Sequence, residues 1–127
     1  MPQRILIVED ETISRKNLGM FLHEEGYDVN EAKDGAEALY LLNTFEFDLV
    51  VSDIRMPRVD GIAVVSHLRS ISPDTPFIVL TAHPNDMMDL SKMPKADIMS
   101  KPVVLEALKS RIEQLLVETG SATVAQE

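Results

Sequence analysis

The chain has 127 residues and a formal net charge of -9, with 21 acidic and 12 basic residues. That length fits one domain of common size. Because an acidic chain offers no basic face to a phosphate backbone, we expect this domain not to bind nucleic acid directly. The absence of cysteine excludes a disulfide scaffold, a thiolate zinc site and cysteine catalysis.

The apolar stretches of the sequence are short. Those at residues 5–8, 49–51 and 77–80 have the length of a strand, far below the roughly 20 residues that a membrane-spanning helix needs. The N-terminus leads directly into the first of them, without the apolar segment of a signal peptide. We therefore expect a cytoplasmic protein without a membrane partner.

Hydrophobic pattern and the placement of proline and glycine predict strands and helices in alternation. Strands are predicted at residues 5–8, 28–32, 48–52, 77–80 and 97–100. A helix is predicted at residues 12–25, a second after its N-cap Asp34, and a third at residues 62–71, following a loop at residues 56–61. A fourth, shortened by Pro94, is predicted at residues 86–90. The last carries one apolar face, formed by Leu105, Leu108, Ile112, Leu115 and Leu116.

Alternating strands and helices predict a doubly wound α/β domain. Right-handed crossovers between five parallel strands place helices on both faces of the sheet. We assign this domain to residues 1–119. Residues 120–127 carry no amphipathic pattern, so they are predicted to be a flexible tail or the start of a linker.

Polar side chains follow the predicted strands at the edge where ligands bind in open parallel sheets. They are Glu9, Asp10, Asp53, Thr81 and Lys101. Three adjacent carboxylates repel one another unless a cation compensates them. Mg²⁺ suits such oxygen ligands, and with the lysine it supplies about +3 against about -3. The sequence therefore predicts a phosphoryl-transfer site, in which a carboxylate can act as the nucleophile.

The segments around these residues resemble the receiver domain of bacterial response regulators. The matching segments, in chain order, are ILIVEDE at residues 5–11, DIRMPRVDG at residues 53–61, Thr81-Ala82 and Lys101-Pro102. The resemblance extends from residue 4 to about residue 118. It implies a flavodoxin-like receiver fold, a single five-stranded parallel sheet with strand order 2-1-3-4-5 and five helices.

The resemblance also implies a phosphoacceptor. Asp53 would take a phosphoryl group from a sensor histidine kinase or a histidine phosphotransfer protein, and the domain would switch conformation. Glu9, Asp10, Asp53 and the backbone carbonyl of Arg55 would bind Mg²⁺. Glu9 is one methylene longer than the aspartate that is also common there, which should alter the metal geometry without abolishing binding. Catalysis would be limited to self-phosphorylation and autodephosphorylation with Mg²⁺.

Further positions are implied to form the switch. Thr81, with Ala82 beside it, would turn toward the phosphoryl group, and Lys101 would pair with that group. The Lys101–Pro102 peptide bond is expected to be cis. Ile98 occupies a position where the family usually carries an aromatic residue, so this sequence alters the switch there.

Two other functions are compatible with this fold. A pseudo-receiver, an interaction module without phosphorylation control, would lack the acceptor, the acid pair or the lysine, all of which this chain has. A phosphatase with an aspartyl-phosphate intermediate generally carries a second acid two residues after its nucleophile, where this chain has Arg55. The resemblance further allows a homodimer through the fourth helix, the fifth strand and the last helix.

Overall fold

The strands of the sheet determine where the polar residues that follow them lie. A computed structural model describes residues 2–53, 58–82 and 95–120. Within them, five parallel strands form one sheet in the order β2-β1-β3-β4-β5, which confirms the predicted fold and strand order. The strands are β1 Arg4–Val8, β2 Asp28–Ala32, β3 Leu49–Asp53, β4 Phe77–Thr81 and β5 Ala96–Ser100. The helices of the described residues are α1 Thr12–Glu24, α2 Gly35–Thr44, α3 Arg58–Ile71 and α4 Leu105–Glu118.

The start of α3 was predicted wrongly. The helix begins at Arg58 rather than at residue 62, so Asp60 and Gly61 lie in its first turn and not in a loop. The first N–H groups of a helix have no intrahelical partner, and acidic residues are favoured there, so both residues are tolerated at this position. The helix expected at residues 86–90 and the tail expected at residues 121–127 lie outside the described residues.

The central strands are buried on both faces because helices cover the sheet from both sides. Along β1, Ile5 and Ile7 pack into one apolar cluster, and Leu6 and Val8 pack into the other. This division follows from the two-residue period of a strand. The near-continuous apolar character of β1, β3 and β4 is therefore what a parallel sheet requires.

The last helix lies on the same face as α1. Its buried residues are Leu108, Ile112, Leu115 and Leu116, all on the predicted apolar face. They join Leu18 and Leu22 of α1 in one cluster. None of the helices in the described ranges has the length and apolar character to cross a membrane.

The predicted cap of α2 is confirmed. Oδ1 of Asp34 accepts a hydrogen bond of 2.8 Å from the backbone N–H of Glu37. In return, Oε1 of Glu37 accepts a 2.7 Å bond from the backbone N–H of Lys33. The first bond satisfies an N–H group that the first turn of the helix leaves open, and the second fixes the residue before the cap, so together they set where the chain turns from β2 into α2.

Candidate functional site

The carboxylates predicted to form the site converge at one edge of the sheet. Asp53 is the last residue of β3, and Glu9 and Asp10 follow the end of the neighbouring strand β1. Val8 lies opposite Ser52 in the register of the two strands, which places the acid pair beside Asp53. One carboxylate oxygen from each of these three acids lies within 4.8 Å of the others.

Lys101 reaches this acidic group from β5, at the edge of the sheet. It follows β5, and its backbone N–H donates a 2.8 Å bond to the carbonyl of Thr81 at the end of β4. Its side chain crosses the end of β4, and its ammonium donates a hydrogen bond to Oδ2 of Asp53. The same Nζ atom lies 3.8 Å from Oε1 of Glu9. The lysine therefore compensates two of the carboxylates directly.

Two of the three carboxylates are withdrawn from solvent, whereas Asp10 is exposed. The side chain of Asp53 is 1% exposed and that of Glu9 is 4% exposed. Burial, together with the hydrogen bond and negative charge of Asp53, raises the pKa of Glu9 to about 7, although the backbone N–H of Glu11 and the charge of Lys101 act in the opposite direction. The N–H of Glu11 donates a 2.9 Å bond to Oε2 of Glu9. Glu9 is thus held in place while its ionised form is disfavoured.

The residues present fit a divalent cation. Oδ1 of Asp53 is buried and has no hydrogen-bond partner among the described residues. Ionisation of all three acids would leave about -2 after the charge of Lys101 is counted, which a hard divalent cation with oxygen ligands neutralises. Arg55, whose carbonyl is predicted as a further ligand, lies outside the described residues.

The residues predicted to respond to phosphorylation lie at the same edge. Thr81 ends β4, is 3% exposed and pairs in register with Ser100. Ala82 is exposed and borders a groove of about 600 Å³ that Lys101 and Pro102 also line. The Lys101–Pro102 peptide bond is cis, as predicted.

Ile98 lies inside the fold rather than at the site. It is half-buried on β5, opposite Val79 in the register with β4, and packs against the apolar cluster that contains Val79. An aliphatic side chain held against this cluster has no polar group to contribute to the acidic edge.

Arg15 lies outside the set of predicted site residues, yet it contacts the acid pair. Its Nη1 atom donates a 3.0 Å bond to the backbone carbonyl of Glu9. Its Nε atom lies 3.5 Å from Oε1 of Glu31 on β2. A polar residue on an amphipathic helix gives no periodic signal for such a contact, because the contact depends on the packing of α1 against β2.

Comparison with known proteins gives the family. A family profile described as response regulator receiver domain matches residues 5–113. Response regulator MprA of Mycobacterium sp. (strain KMS) is 40% identical over 122 residues, which cover 94% of this chain and 53% of that protein. Transcriptional regulatory protein GlrR of Escherichia coli (strain K12) is 36% identical over 124 residues, covering 96% of this chain and 28% of that protein. The chain thus spans about half or less of these curated relatives.

Solved structures give the same result. Response regulator protein TrrA of Thermotoga maritima, in complex with Mg²⁺ and BeF, matches with a TM-score of 0.80 and 36% identity. The match covers 90% of this chain and 99% of that one. Receiver domains bind Mg²⁺ at an acidic cluster, and the group formed by Glu9, Asp10 and Asp53 fits that property. The chain belongs to the receiver domains of response regulators, which act in two-component signal transduction and interact with histidine kinases.

Proposed function

We propose that Asp53 accepts a phosphoryl group from a phosphohistidine of a sensor histidine kinase or a histidine phosphotransfer protein. The observation that carries this proposal is the position of Asp53 between an acid pair and an ammonium group. Its carboxylate lies within 4.8 Å of the acid pair and is hydrogen-bonded to Lys101. A carboxylate with only a structural role would not need partners of both signs.

The transfer is a displacement at phosphorus. A carboxylate oxygen of Asp53 forms the new O–P bond while the P–N bond to the imidazole breaks, and its electron pair stays on the departing nitrogen. Such reactions depend mostly on positioning and on neutralising charge. Lys101 already contacts Oδ2 of the acceptor, so its ammonium is placed to pair with a phosphoryl oxygen once that carboxylate carries the phosphoryl group as an acyl phosphate.

Glu9, Asp10 and Asp53 would hold Mg²⁺, with the carbonyl of Arg55 as a further proposed ligand. When bound, the cation would neutralise the negative charge that the carboxylates and the phosphoryl oxygens share. The raised pKa of Glu9 supports this assignment, because a pocket that disfavours an isolated carboxylate anion gains most from a cation.

The response would begin at Thr81. Its hydroxyl would turn toward the phosphoryl group, with Ala82 adjoining, and the surface formed by β5 and α4 would change. A homodimer through that surface is one output that this arrangement allows. The side chain of Ile98 is apolar and packs against the core. The conformational change would therefore spread from Thr81 without the aromatic side chain that is usual at position 98.

We further propose that the domain acts on no external substrate. Its chemistry would be limited to Mg²⁺-dependent phosphorylation and dephosphorylation of Asp53. The acceptor, the acid pair and Lys101 all lie at one edge of the sheet, which supports phosphorylation control over a pseudo-receiver role.

The test uses a small phosphodonor, acetyl phosphate, with Mg²⁺. We expect a phosphate that is labile to hydroxylamine, as an acyl phosphate is, in the wild-type chain and in the control Asp28→Asn. Asp28 is half-exposed in an ion pair with Arg4, away from the site. Asp53→Asn should carry none. Labile phosphate on Asp53→Asn, or none on the wild-type chain, would contradict the proposal.

A further inference from the structure

Arg15 joins three elements of the fold at the acidic edge. It is the fourth residue of α1, and its side chain is 13% exposed. The guanidinium donates to the carbonyl of Glu9, which follows β1, and lies 3.5 Å from the carboxylate of Glu31 on β2. A planar guanidinium can donate a directed hydrogen bond to one group and pair by charge with another, whereas an ammonium group acts as a point charge.

The carbonyl that Arg15 binds belongs to the peptide unit between the two acids of the pair. The carbonyl of Glu9 and the N–H of Asp10 share one rigid plane, so a bond to this carbonyl fixes the direction in which the chain leaves Glu9. The N–H of Glu9 is bonded to the carbonyl of Ala32 at 3.0 Å. Both polar groups of the Glu9 backbone are therefore fixed by partners on other elements.

Glu31 holds Arg15 in turn, and the absence of a side chain at Gly19 leaves room for the carboxylate of Glu31. Oε1 of Glu31 lies 3.0 Å from Nζ of Lys16 as well as near Arg15. A Cβ atom at Gly19 would lie 2.6 Å from Oε2 of Glu31, closer than unbonded atoms can approach. The missing side chain at position 19 therefore lets the carboxylate pack against α1, next to the guanidinium.

We infer that Arg15 is a positioning residue for the metal-binding acid pair. It orients the peptide between Glu9 and Asp10, and Glu31 and Gly19 hold it in that position. Glu31 also compensates the charge of Arg15, so the guanidinium adds order to the site without adding strong repulsion toward a cation. This inference rests on the proposed function for the role of Mg²⁺, while the ordering of Glu9 does not depend on it.

Arg15→Met tests the inference, with Lys16→Met as the matched control. Both residues lie on α1 and both contact Glu31, but Lys16 is 62% exposed, and the hydrogen bond to the carbonyl of Glu9 comes from Arg15. Calorimetric titration with Mg²⁺ should show an affinity about 10-fold weaker for Arg15→Met, the size of effect that partners of metal ligands have elsewhere. Lys16→Met should stay within about twofold of the wild-type chain.

A second measurement needs no metal. The N–H of Glu11 donates to Oε2 of Glu9, so hydrogen exchange of this amide, followed by NMR in EDTA, reports the order of the Glu9 side chain. We expect faster exchange at Glu11 in Arg15→Met than in Lys16→Met, with unchanged exchange in β3. If the wild-type chain binds no Mg²⁺, the metal part of the proposed function fails and this exchange alone decides the role of Arg15.

Gly19→Ala and Glu31→Gln disturb the contact between Arg15 and Glu31 on the side of Glu31. Each should weaken Mg²⁺ binding and speed up exchange at Glu11, and they serve if Arg15→Met does not fold. Equal Mg²⁺ affinity in Arg15→Met and the wild-type chain would overturn the inference, as would equal exchange at Glu11 in Arg15→Met and Lys16→Met.

Discussion

Lys101 donates a hydrogen bond to Asp53 across 48 positions of sequence, from the end of β5 to the end of β3. The bond passes over the end of β4, which lies between these two strands. The ammonium is thereby placed against the most deeply buried carboxylate of the acidic edge and near Glu9. The lysine and a bound cation would therefore both neutralise negative charge on the same carboxylates.

Removal of this ammonium should separate metal binding from phosphoryl transfer. In Lys101→Met, repulsion between the lysine and Mg²⁺ is gone, so we expect Mg²⁺ to bind about 10-fold more tightly. Phosphorylation of Asp53 by acetyl phosphate should nevertheless become slower, because no ammonium pairs with the phosphoryl oxygens. Calorimetry and hydroxylamine-labile phosphate measure the two effects.

Lys109→Met is the matched control for that variant. Lys109 pairs with Glu25 at 2.9 Å on the surface of α4, so both properties should remain those of the wild-type chain. A fall in Mg²⁺ affinity in Lys101→Met would show instead that the lysine organises the carboxylates for the metal.

The pKa of Glu9 predicts how the stability of the metal-free protein depends on pH. The folded state raises this pKa from 4.5 to about 7, so the folded protein binds more protons than the unfolded chain between these values. The free energy of unfolding gained from protonated Glu9 is then fully present below about pH 4.5 and lost as the pH rises through about 7. Urea denaturation in EDTA over this pH range should show that loss.

Glu9→Gln identifies the group responsible, because glutamine does not titrate. Its stability profile should be flatter than that of the wild-type chain between pH 4.5 and pH 7. Saturating Mg²⁺ should also reduce the loss, since the cation favours ionised Glu9 and its binding releases protons. A wild-type profile that rises across this window in EDTA would contradict the assignment.

Much of this fold can be predicted from the sequence, for a physical reason. Strands buried on both faces appear as short apolar runs, and β1, β3 and β4 are such runs. The rule that ligands bind at the carboxyl ends of parallel strands then brings Glu9, Asp53 and Lys101 together from positions far apart in the chain. The types of these residues and their positions at the ends of predicted strands were enough to predict that they converge.

Other features depend on packing that a linear pattern does not contain. The start of α3 could not be predicted, because Asp60 and Gly61 are as acceptable in the first turn of a helix as in a loop. The contact between Arg15 and Glu31 requires α1 to lie close to β2, and the missing side chain of Gly19 leaves room for the Glu31 carboxylate there. Such contacts between elements become visible only in three dimensions.

Truncation of the core of α4 should cost far more than truncation of its surface. Ile112 is fully buried, so Ile112→Ala should lower the free energy of unfolding by about 2–5 kcal/mol. Val117→Ala removes apolar atoms from the same helix at a residue that is 42% exposed, and should change it by less than about 1 kcal/mol. Urea denaturation with unchanged slope measures both, and equal losses would show that α4 does not carry the core contacts described for it.

The hydroxyl of Thr81 should matter for the response and not for the acceptance of phosphate. Thr81→Val keeps the shape of this buried side chain and replaces the hydroxyl with a methyl group, so Asp53 should still be phosphorylated. The changes that phosphorylation causes in the amide resonances of β5 and α4 should be smaller than in the wild-type chain. Thr81→Ser, which keeps the hydroxyl, should retain them, and undiminished changes in Thr81→Val would exclude the hydroxyl as the origin of the response.

Ile98 should hold its place while that response occurs. Its side chain packs against the cluster that contains Val79, its neighbour in register on β4, and close-packed apolar groups resist displacement. We expect methyl contacts between Ile98 and Val79, measured by nuclear Overhauser effects, to be the same with and without phosphorylation of Asp53. Loss of these contacts in the phosphorylated protein would mean that the isoleucine itself moves with the switch, as the aromatic residue usual at this position would be expected to do.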